Sequence, residues 1–350
     1  MNTKIFKINP DNPQEDKLTE ASEIIKKGGI VAFPTETVYG LGANALNENA
    51  VSKIFEAKGR PSDNPLIVHV ANLEQVEKLV EEIPQEAYKI MESFWPGPIT
   101  IIFNKSKIVP DSITAGLPTV AIRMPNHKIA LDLINKSELP IAAPSANLSG
   151  KPSPTTFKHV KEDLTGKIDA IIEGGFTGVG LESTVVDITT GIPTILRPGG
   201  ITREDLMNLF SEVKMDPALH DSSAIPKSPG QKYKHYAPNA KVYVIQGMVT
   251  DIQKRIELLY NEYSLQGLKV GIMATNQTEK LYEGKLTINV GDRLNPETIA
   301  SNLFKALRNF DDMKVDIILA EAIDDDGIGA AIMNRLNKSA GGNIITAKED

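Results

Sequence analysis

Apolar residues recur along the chain at two spacings that alternate with each other. Leu18, Ala21 and Ile25 lie three or four residues apart, which is the spacing of one face of a helix. Asn12 is placed to cap that helix and Gly28 to end it. The run GIVAF that follows is short and continuously apolar, as in a buried strand. A helix followed by a buried strand is the repeating unit of an α/β fold.

Short apolar runs dominate the first part of the chain. The pattern predicts helices at residues 50–57, 73–94 and 203–210, and strands at residues 66–70, 99–103, 120–123, 141–143, 170–172, 184–188 and 194–197. Few helices separate the later strands. The expected sheet is therefore mixed and twisted rather than uniformly parallel.

Apolar periodicity stops between about residues 215 and 239, where four prolines fall, and this segment is predicted to be a linker. Beyond it, the runs KVYVI, LKVGIM, LTINV and VDIILAE alternate with helices predicted at 252–263 and 298–310, and a further helix is expected to start near GIGAAIMN. This is the pattern of a small, Rossmann-like parallel sheet. The predicted division is a domain at 1–213, a linker at 214–239 and a second domain at 240–350.

The composition narrows the possible functions. The net charge of -7 argues against a surface that coats nucleic acid, so an anion site would have to be local. The chain has no cysteine, which excludes disulfides and thiolate chemistry, and its five histidines lack metal-site spacing, so no metal site is predicted. No run is apolar enough for a signal peptide or a membrane helix, and we expect a cytoplasmic protein.

The loops that follow strands carry the polar residues of interest, because α/β folds bind ligands there. In PTETVYGLGANA, Thr35 and Thr37 offer hydroxyls, and Gly40 and Gly42 would let the backbone approach a ligand. The same loop could equally be a tight turn whose hydroxyls only cap the next element.

A second loop, KGRPSDNPLIVHV, combines two cations with an amide. Lys58, Arg60 and Asn64 lie within seven residues. The compact ammonium of the lysine and the planar guanidinium of the arginine together suit binding of a polyphosphate. The two cations could instead be the solvated end of a helix. His69, in an apolar strand, could be an ordinary half-buried histidine.

Other strand ends repeat this combination of cation and hydroxyl. Arg123 ends the strand of TVAIRMP, where it could bind a carboxylate or form a plain salt bridge. Similar hydroxyl, amide and guanidinium groups follow in AAPSANLSGKPSPTT, GLESTVVD and ILRPGG, at Ser145, Asn147, Ser149, Ser153, Ser183, Thr184 and Arg197. No serine–histidine–acid set and no carboxylate cluster stands out. The residues therefore favour a site for a nucleoside triphosphate and a small carboxylate that acts by positioning and charge neutralisation.

These stretches resemble a known family. GGIVAFPTETVYGLG, KGRPSDNPLIVHV, WPGPIT, VAIRMPNH, APSANLSGKPSPT, ESTVVD, LRPG and SPGQKYKHYAP look like the motifs of the threonylcarbamoyl-AMP synthases, in their long two-domain form. The resemblance runs from about residue 5 to GIGAAIMNRLNKSAGG. It implies an α/β fold with a YrdC-type twisted mixed sheet and a concave cavity, followed by a smaller Rossmann-like domain with a parallel sheet.

The resemblance also implies a reaction: L-threonine, bicarbonate or CO2, and ATP with Mg2+ would give L-threonylcarbamoyl-AMP and pyrophosphate. A tRNA threonylcarbamoyl transferase complex would then receive the product for t6A modification, and direct contact with tRNA stays open. Matching positions assign threonine to Thr35, His69, Arg123 and Ser183. They assign catalysis to Lys58 and Arg60, and ATP to Lys58, Arg60, Asn64, Thr119, Ser145, Asn147, Ser153, Arg197 and Tyr236.

Two other functions compete with this one. A related domain forms carbamoyl-adenylate in hydrogenase maturation, but those chains carry zinc-finger segments and this one has no cysteine. An RNA-binding module is the other, and the acidic composition argues against it.

Four lysines and one acid fall between Asp221 and Lys241, so residues 228–238 are predicted to be a lid over the site, with Tyr236 reaching the nucleotide.

Overall fold

A mixed sheet of eleven strands forms the centre of the first unit, Met1–Ser149 with Ser153–Lys232; the second unit is Gly150–Pro152 with Tyr233–Asp350. The computed structural model describes residues 2–219 and 236–347. In order along the chain, the strands of the first sheet are β1 (Lys4–Lys7), β2 (Val31–Phe33), β3 (Gly40–Asn44), β4 (Ile67–His69), β5 (Ile99–Asn104), β6 (Thr119–Arg123), β7 (Ile141–Ala142), β8 (Ala170–Glu173), β9 (Thr184–Asp187), β10 (Thr194–Arg197) and β11 (Lys214–Met215).

The first sheet has the order β1-β8-β2-β3-β7-β4-β6-β5-β9-β10-β11 and contains both parallel and antiparallel pairs, which confirms the predicted mixed sheet. The helices of this unit are α1 (Glu15–Lys26), α2 (Glu48–Lys58), α3 (Leu73–Leu79), α4 (Gln85–Phe94), α5 (Asp111–Thr114), α6 (Lys128–Ser137), α7 (Phe157–Leu164) and α8 (Arg203–Met207). Strand β11 pairs with β10, so the sheet continues two residues past the predicted boundary at residue 213.

The strands are almost continuously buried, because successive side chains point to opposite faces of a sheet that is covered on both faces. In β2, Val31 and Phe33 belong to one apolar cluster, which α1 and α6 cover. Ala32, between them, belongs to the larger cluster on the opposite face, which includes residues of α2, α4 and α7. The sheet therefore has two distinct faces, and the first of them carries the candidate site.

The start of the first helix differs from its prediction. Helix α1 begins at Glu15 after Gln14, and Asn12 does not cap it. Instead, the Gln14 side-chain amide donates to the Asn12 carbonyl at 3.0 Å, and the Asn9 side chain accepts from the Asp11 amide at 2.9 Å. A turn closed by these side chains takes the place of the predicted cap.

Strand β3 was predicted as part of a ligand loop. Its glycines instead allow close packing within the sheet: a Cβ on Gly42 would lie 2.7 Å from the Phe33 ring and 2.8 Å from Ile141. The prediction that this glycine lets the backbone approach a ligand was wrong. Glycine lowers strand propensity, which is why the pattern hid this strand.

The second unit has the predicted parallel sheet. Its strands are β12 (Lys241–Gln246), β13 (Val270–Ala274), β14 (Thr287–Asn289), β15 (Ile317–Glu321) and β16 (Ile344–Thr346), in the order β14-β13-β15-β12-β16. All pairs are parallel. Helices α9 (Val249–Leu265), α10 (Pro296–Asp312) and α11 (Gly329–Ala340) connect or follow them, and α11 begins where GIGAAIMN indicated. The short strand β16 was not predicted.

Within 2–219 and 236–347, no helix is long and apolar enough to cross a membrane. Over the same residues, no group of three or more acidic or histidine side chains is arranged to hold a metal ion.

We predict that Gly42→Ala destabilises the first unit by about 1–3 kcal/mol, because the added methyl overpacks two fully buried side chains. Trp95 is the single tryptophan and lies in this unit, so its fluorescence during urea unfolding reports on it. The matched control is Gly178→Ala, whose Cβ has no neighbour within 4 Å and whose backbone needs no glycine. Equal urea midpoints for the two variants would contradict this packing argument.

Candidate active site

A small apolar cluster lies on one face of five adjacent strands. It consists of Ile67, Ile102, Ala121, Val185 and Leu196, from β4, β5, β6, β9 and β10. The register pairs Ile67 and Ile102 with Ala121, so these side chains point to the same side of the sheet. We call this cluster the apolar floor.

Polar side chains border the apolar floor on the same strands. Residues two apart in a strand share a face, so Arg123 lies beside Ala121, and His69 lies beside Ile67. His69 and Arg123 are direct cross-strand partners. Two expected threonine-binding residues are thus brought together at one end of the floor.

Arg123 is buried, with 4% of its surface exposed, and its acceptors come from separate segments. Its Nη1 donates to the Thr37 hydroxyl at 2.8 Å and its Nε to the Gly97 carbonyl, of the WPGPIT motif, at 3.3 Å. Glu36 Oε2 lies 2.7 Å from Arg123 Nη2. That contact lacks hydrogen-bond alignment, so Nη2 and both Glu36 oxygens have no hydrogen-bond partner among the described residues. The pair is a close ion pair whose geometry is poorly aligned for a hydrogen bond.

His69 is neutral in this environment. Burial, and after it the positive charge of Arg123, lower its pKa to about 3. Its Nδ1 has no hydrogen-bond partner within the part of the chain that the structure describes. A neutral imidazole can accept as well as donate a hydrogen bond, which suits recognition of a hydroxyl group.

Ser183 and Arg197 form a second pair at the edge of the floor. Arg197 donates to the Ser183 carbonyl at 3.0 Å and to its hydroxyl at 3.1 Å, and that hydroxyl also bonds to Thr100 at 2.8 Å. A Cβ on Gly199 would lie 2.2 Å from the Thr184 amide nitrogen, so only glycine fits at this position of LRPGG. Arg197, which is predicted to bind ATP, thus contacts Ser183, which is predicted to bind threonine.

Thr35 is buried in the loop between β2 and β3. Its hydroxyl donates to the Val38 carbonyl at 2.7 Å and lies 2.9 Å from the Thr37 hydroxyl. Thr35 therefore stabilises the turn through hydrogen bonds within its own loop, which is the alternative considered for this segment. Thr37 links the loop to Arg123.

Lys58 organises a second loop. It is 3% exposed, and its ammonium donates to the carbonyls of Ser145 at 2.5 Å and of Asn147 at 2.7 Å. The Ser149 amide also donates to the Lys58 carbonyl at 2.9 Å. The last residue of α2 therefore fixes the loop after β7, so the solvated helix end considered for Lys58 is wrong.

Arg60 and Asn64 lie close to each other before β4. Arg60 donates to the Asn64 carbonyl at 3.4 Å. Asn64 is 3% exposed, and its Nδ2 lacks a hydrogen-bond partner among the described residues. A buried amide nitrogen without an acceptor marks a position where a ligand oxygen would be favourable.

Two further predicted nucleotide contacts lie apart from these groups. Thr119 is on the same face of β6 as Arg123 but four residues earlier, about 13 Å away along the strand. Ser153 is buried, and its hydroxyl donates to Glu182 at 2.5 Å. The structure does not bring either one against Arg123.

Tyr236 belongs to the second unit. Its ring stacks on Phe304 at 5.1 Å and lies 5.7 Å from the Arg335 guanidinium carbon. Its predicted contact with the nucleotide stays a prediction. Residues 228–235 of the predicted lid lie outside the described residues.

Sequence reasoning missed several polar groups of this site. Thr100 and Glu182 contact Ser183 and Ser153, and Glu36 is the acidic residue of the PTETVYG motif. His127, of VAIRMPNH, has an unpartnered Nδ1, and burial lowers its pKa while the nearby Glu36 carboxylate raises it. The two motif residues Glu36 and His127 could have been found from the motifs that contain them.

Two protein families match this chain over adjoining ranges. Residues 23–199 match the Sua5/YciO/YrdC family described as "Telomere recombination", and residues 201–341 match the family described as "Threonylcarbamoyl-AMP synthase, C-terminal domain". The fold and site thus define a protein of the Sua5/YciO/YrdC class with a second, carboxy-terminal domain.

Similarity extends over nearly the whole chain. The threonylcarbamoyl-AMP synthase of Pyrococcus abyssi is 52% identical over 95% of this chain and 96% of its own, and that of Bacillus subtilis is 49% identical over 97% and 96%. The crystal structure of P. abyssi Sua5 complexed with L-threonine has a TM-score of 0.94 at 50% identity and covers 99% of this chain and 100% of its own. The chain belongs to the threonylcarbamoyl-AMP synthase family.

We predict that His69 stays neutral between about pH 5 and 8, so its imidazole resonances, assigned with His69→Gln, should not titrate in that range. Since the folded pKa of about 3 lies below the unfolded 6.5, the unfolded chain takes up the proton first as the pH falls. The contribution of His69 to the unfolding free energy should therefore decrease from about pH 6.5 down to about 3. An NMR titration midpoint near 6.5 would contradict the buried, neutral state.

Proposed function

We propose that the first unit condenses L-threonine, bicarbonate or CO2, and ATP into L-threonylcarbamoyl-AMP and pyrophosphate, with threonine bound at the Arg123 end of the apolar floor. The observation that carries this assignment is Arg123 itself. A buried guanidinium with an unsatisfied Nη2, next to a neutral histidine, suits a small hydroxyl-bearing carboxylate. Family membership and the relative that was crystallised with L-threonine support it.

The nucleotide is proposed to bind where the loops around Lys58 and Asn64 meet. Lys58, Arg60, Asn64, Ser145 and Asn147 supply cations, amides and backbone groups close to one another. Arg197, Thr119 and Ser153 of the same unit are proposed to make further contacts with ATP, and the contact of Tyr236 with the nucleotide stays a prediction. The buried amide nitrogen of Asn64, which lacks an acceptor, supports a ligand at this position.

The chemistry follows from what the substrates provide. The threonine ammonium group loses a proton, and the amine adds to CO2 and releases a second proton to solvent to give a carbamate. A carbamate oxygen then attacks the α-phosphorus of ATP while pyrophosphate leaves. The protein then needs to align the two reactants and neutralise phosphate charge, as Lys58, Arg60 and Arg197 can do. Mg2+ would enter as part of the ATP complex, held by phosphate oxygens.

The product has a reactive mixed anhydride, so an acceptor must follow. We propose that a tRNA threonylcarbamoyl transferase complex receives it for t6A modification. A chain without cysteine is suited to a reducing compartment, and we propose that the protein acts in the cytoplasm.

The purified protein, given ATP, bicarbonate and Mg2+, should release pyrophosphate and form the adenylate only when L-threonine is added. Pyrophosphate is measured by a coupled assay, and the adenylate by mass spectrometry. Serine and valine, which lack the methyl group or the hydroxyl, serve as controls and should be poorer substrates. Pyrophosphate release that does not depend on the amino acid would contradict the proposed reaction.

Lys58→Ala should lower kcat/KM for ATP by about 10- to 100-fold, because charged hydrogen bonds to the Ser145 and Asn147 carbonyls are lost. Steady-state kinetics with varied ATP give this ratio. The matched control is Lys53→Ala, whose ammonium also donates to a backbone carbonyl, that of Gly28, at 2.6 Å. If both variants keep the wild-type ratio, the assignment of Lys58 to the nucleotide site is wrong.

A further inference from the structure

Glu36 is a half-buried residue whose carboxylate contacts Arg123 but makes no aligned hydrogen bond among the described residues. Its side chain is 14% exposed, in the loop between β2 and β3. The backbone of this residue is fixed, since the Val179 amide donates to the Glu36 carbonyl at 2.8 Å. Neither carboxylate oxygen has a hydrogen-bond partner among the described residues.

The Arg123 ion pair does not satisfy this carboxylate. An ionised carboxylate can accept about four hydrogen bonds, and Arg123 Nη2 approaches only one oxygen, without alignment. Leaving such a group desolvated with incomplete hydrogen bonding is unfavourable in general, so the carboxylate calls for a further partner, which can be water or a ligand. The missing partner is a group with several N–H or O–H donors.

The neighbouring groups limit what that partner can be. Arg123 Nη2 is also unsatisfied, and it needs an acceptor such as a carboxylate. A second carboxylate placed there alone would lie next to Glu36 and repel it. His127 also lies close enough to Glu36 for the carboxylate to raise its pKa, but burial has the larger effect and lowers that pKa overall. His127 therefore does not supply a compensating cation. A ligand with an acceptor anion and a donor cation one carbon apart satisfies both groups, and an α-amino acid has this arrangement.

We propose that Glu36 binds the α-ammonium group of L-threonine while Arg123 binds its carboxylate. This proposal rests on the threonine site proposed above and adds a residue to it. In the absence of substrate, the two side chains neutralise each other. On binding, the zwitterion inserts between them, and each side chain exchanges an unaligned contact for aligned ones. Glu36 thereby orients the nitrogen that becomes the carbamate nitrogen.

The test compares L-threonine with (R)-3-hydroxybutyrate, which keeps the carboxylate and hydroxyl but lacks the amine. Binding of each is measured by calorimetry to the wild type and to Glu36→Gln. The variant should bind L-threonine about tenfold or more weakly, because a charge-assisted contact is lost. Binding of 3-hydroxybutyrate should not weaken, so the preference for the amine should largely disappear. In turnover, the KM for threonine should rise and the KM for ATP should not.

Two variants guard against indirect effects. Glu36→Asp keeps the charge and should recover part of the preference for the amine. Glu212→Gln removes a carboxylate from an exposed ion pair with Lys214, in which the charged atoms are 3.5 Å apart. It should leave the affinity for both ligands unchanged. The Trp95 unfolding midpoint checks that the variants are folded.

Three outcomes would overturn the proposal. If Glu36→Gln tightens both ligands equally, Glu36 merely competes for Arg123. If the preference for the amine is unchanged, Glu36 has no contact with the ammonium. If the wild type forms the threonine-dependent adenylate but Glu36→Gln shows wild-type KM for threonine, only this inference fails. A wild type that neither binds nor uses threonine overturns the proposed function as well.

Discussion

The burial of the Arg123 guanidinium is the constraint around which the candidate site is organised. A buried guanidinium must be surrounded by acceptors, because removing its charge from water is costly. Arg123 donates hydrogen bonds to the Thr37 hydroxyl and the Gly97 carbonyl, and the Glu36 carboxylate neutralises its charge through an unaligned contact with Nη2. Two loops that are distant in sequence are therefore drawn to the end of one strand, and one donor atom remains for a ligand.

The same constraint determines the state of His69. Because parallel pairing places His69 beside Arg123, protonation would put two buried cations next to each other. Desolvation alone already lowers the pKa of this histidine, and Arg123 adds to the effect. The result is a fixed pattern at the end of the apolar floor, with one permanent cation, one neutral imidazole and one carboxylate. Such a pattern discriminates between ligands by charge before any conformational change occurs.

Much of this could be predicted from the sequence because the site residues follow short apolar strands. Strand β10 matches its prediction residue for residue, and β4, β5 and β6 match within one. The order of those strands could not be predicted, since it depends on pairings such as β4 with β6 that no local pattern encodes. Glycine hid β3, and the side chain of Gln14 displaced the expected helix cap at Asn12.

The hydrogen bonds around Glu36 distinguish it from its neighbours in a way that the sequence motif does not. In the sequence it is one acid in PTETVYG, between two threonines that attract attention as hydroxyls. In the structure those hydroxyls are used within the loop and by Arg123, so they are already satisfied. The carboxylate between them is not. A bound ammonium group beside a bound carboxylate would supply aligned partners to both Glu36 oxygens and to Arg123 Nη2, the three atoms that lack them.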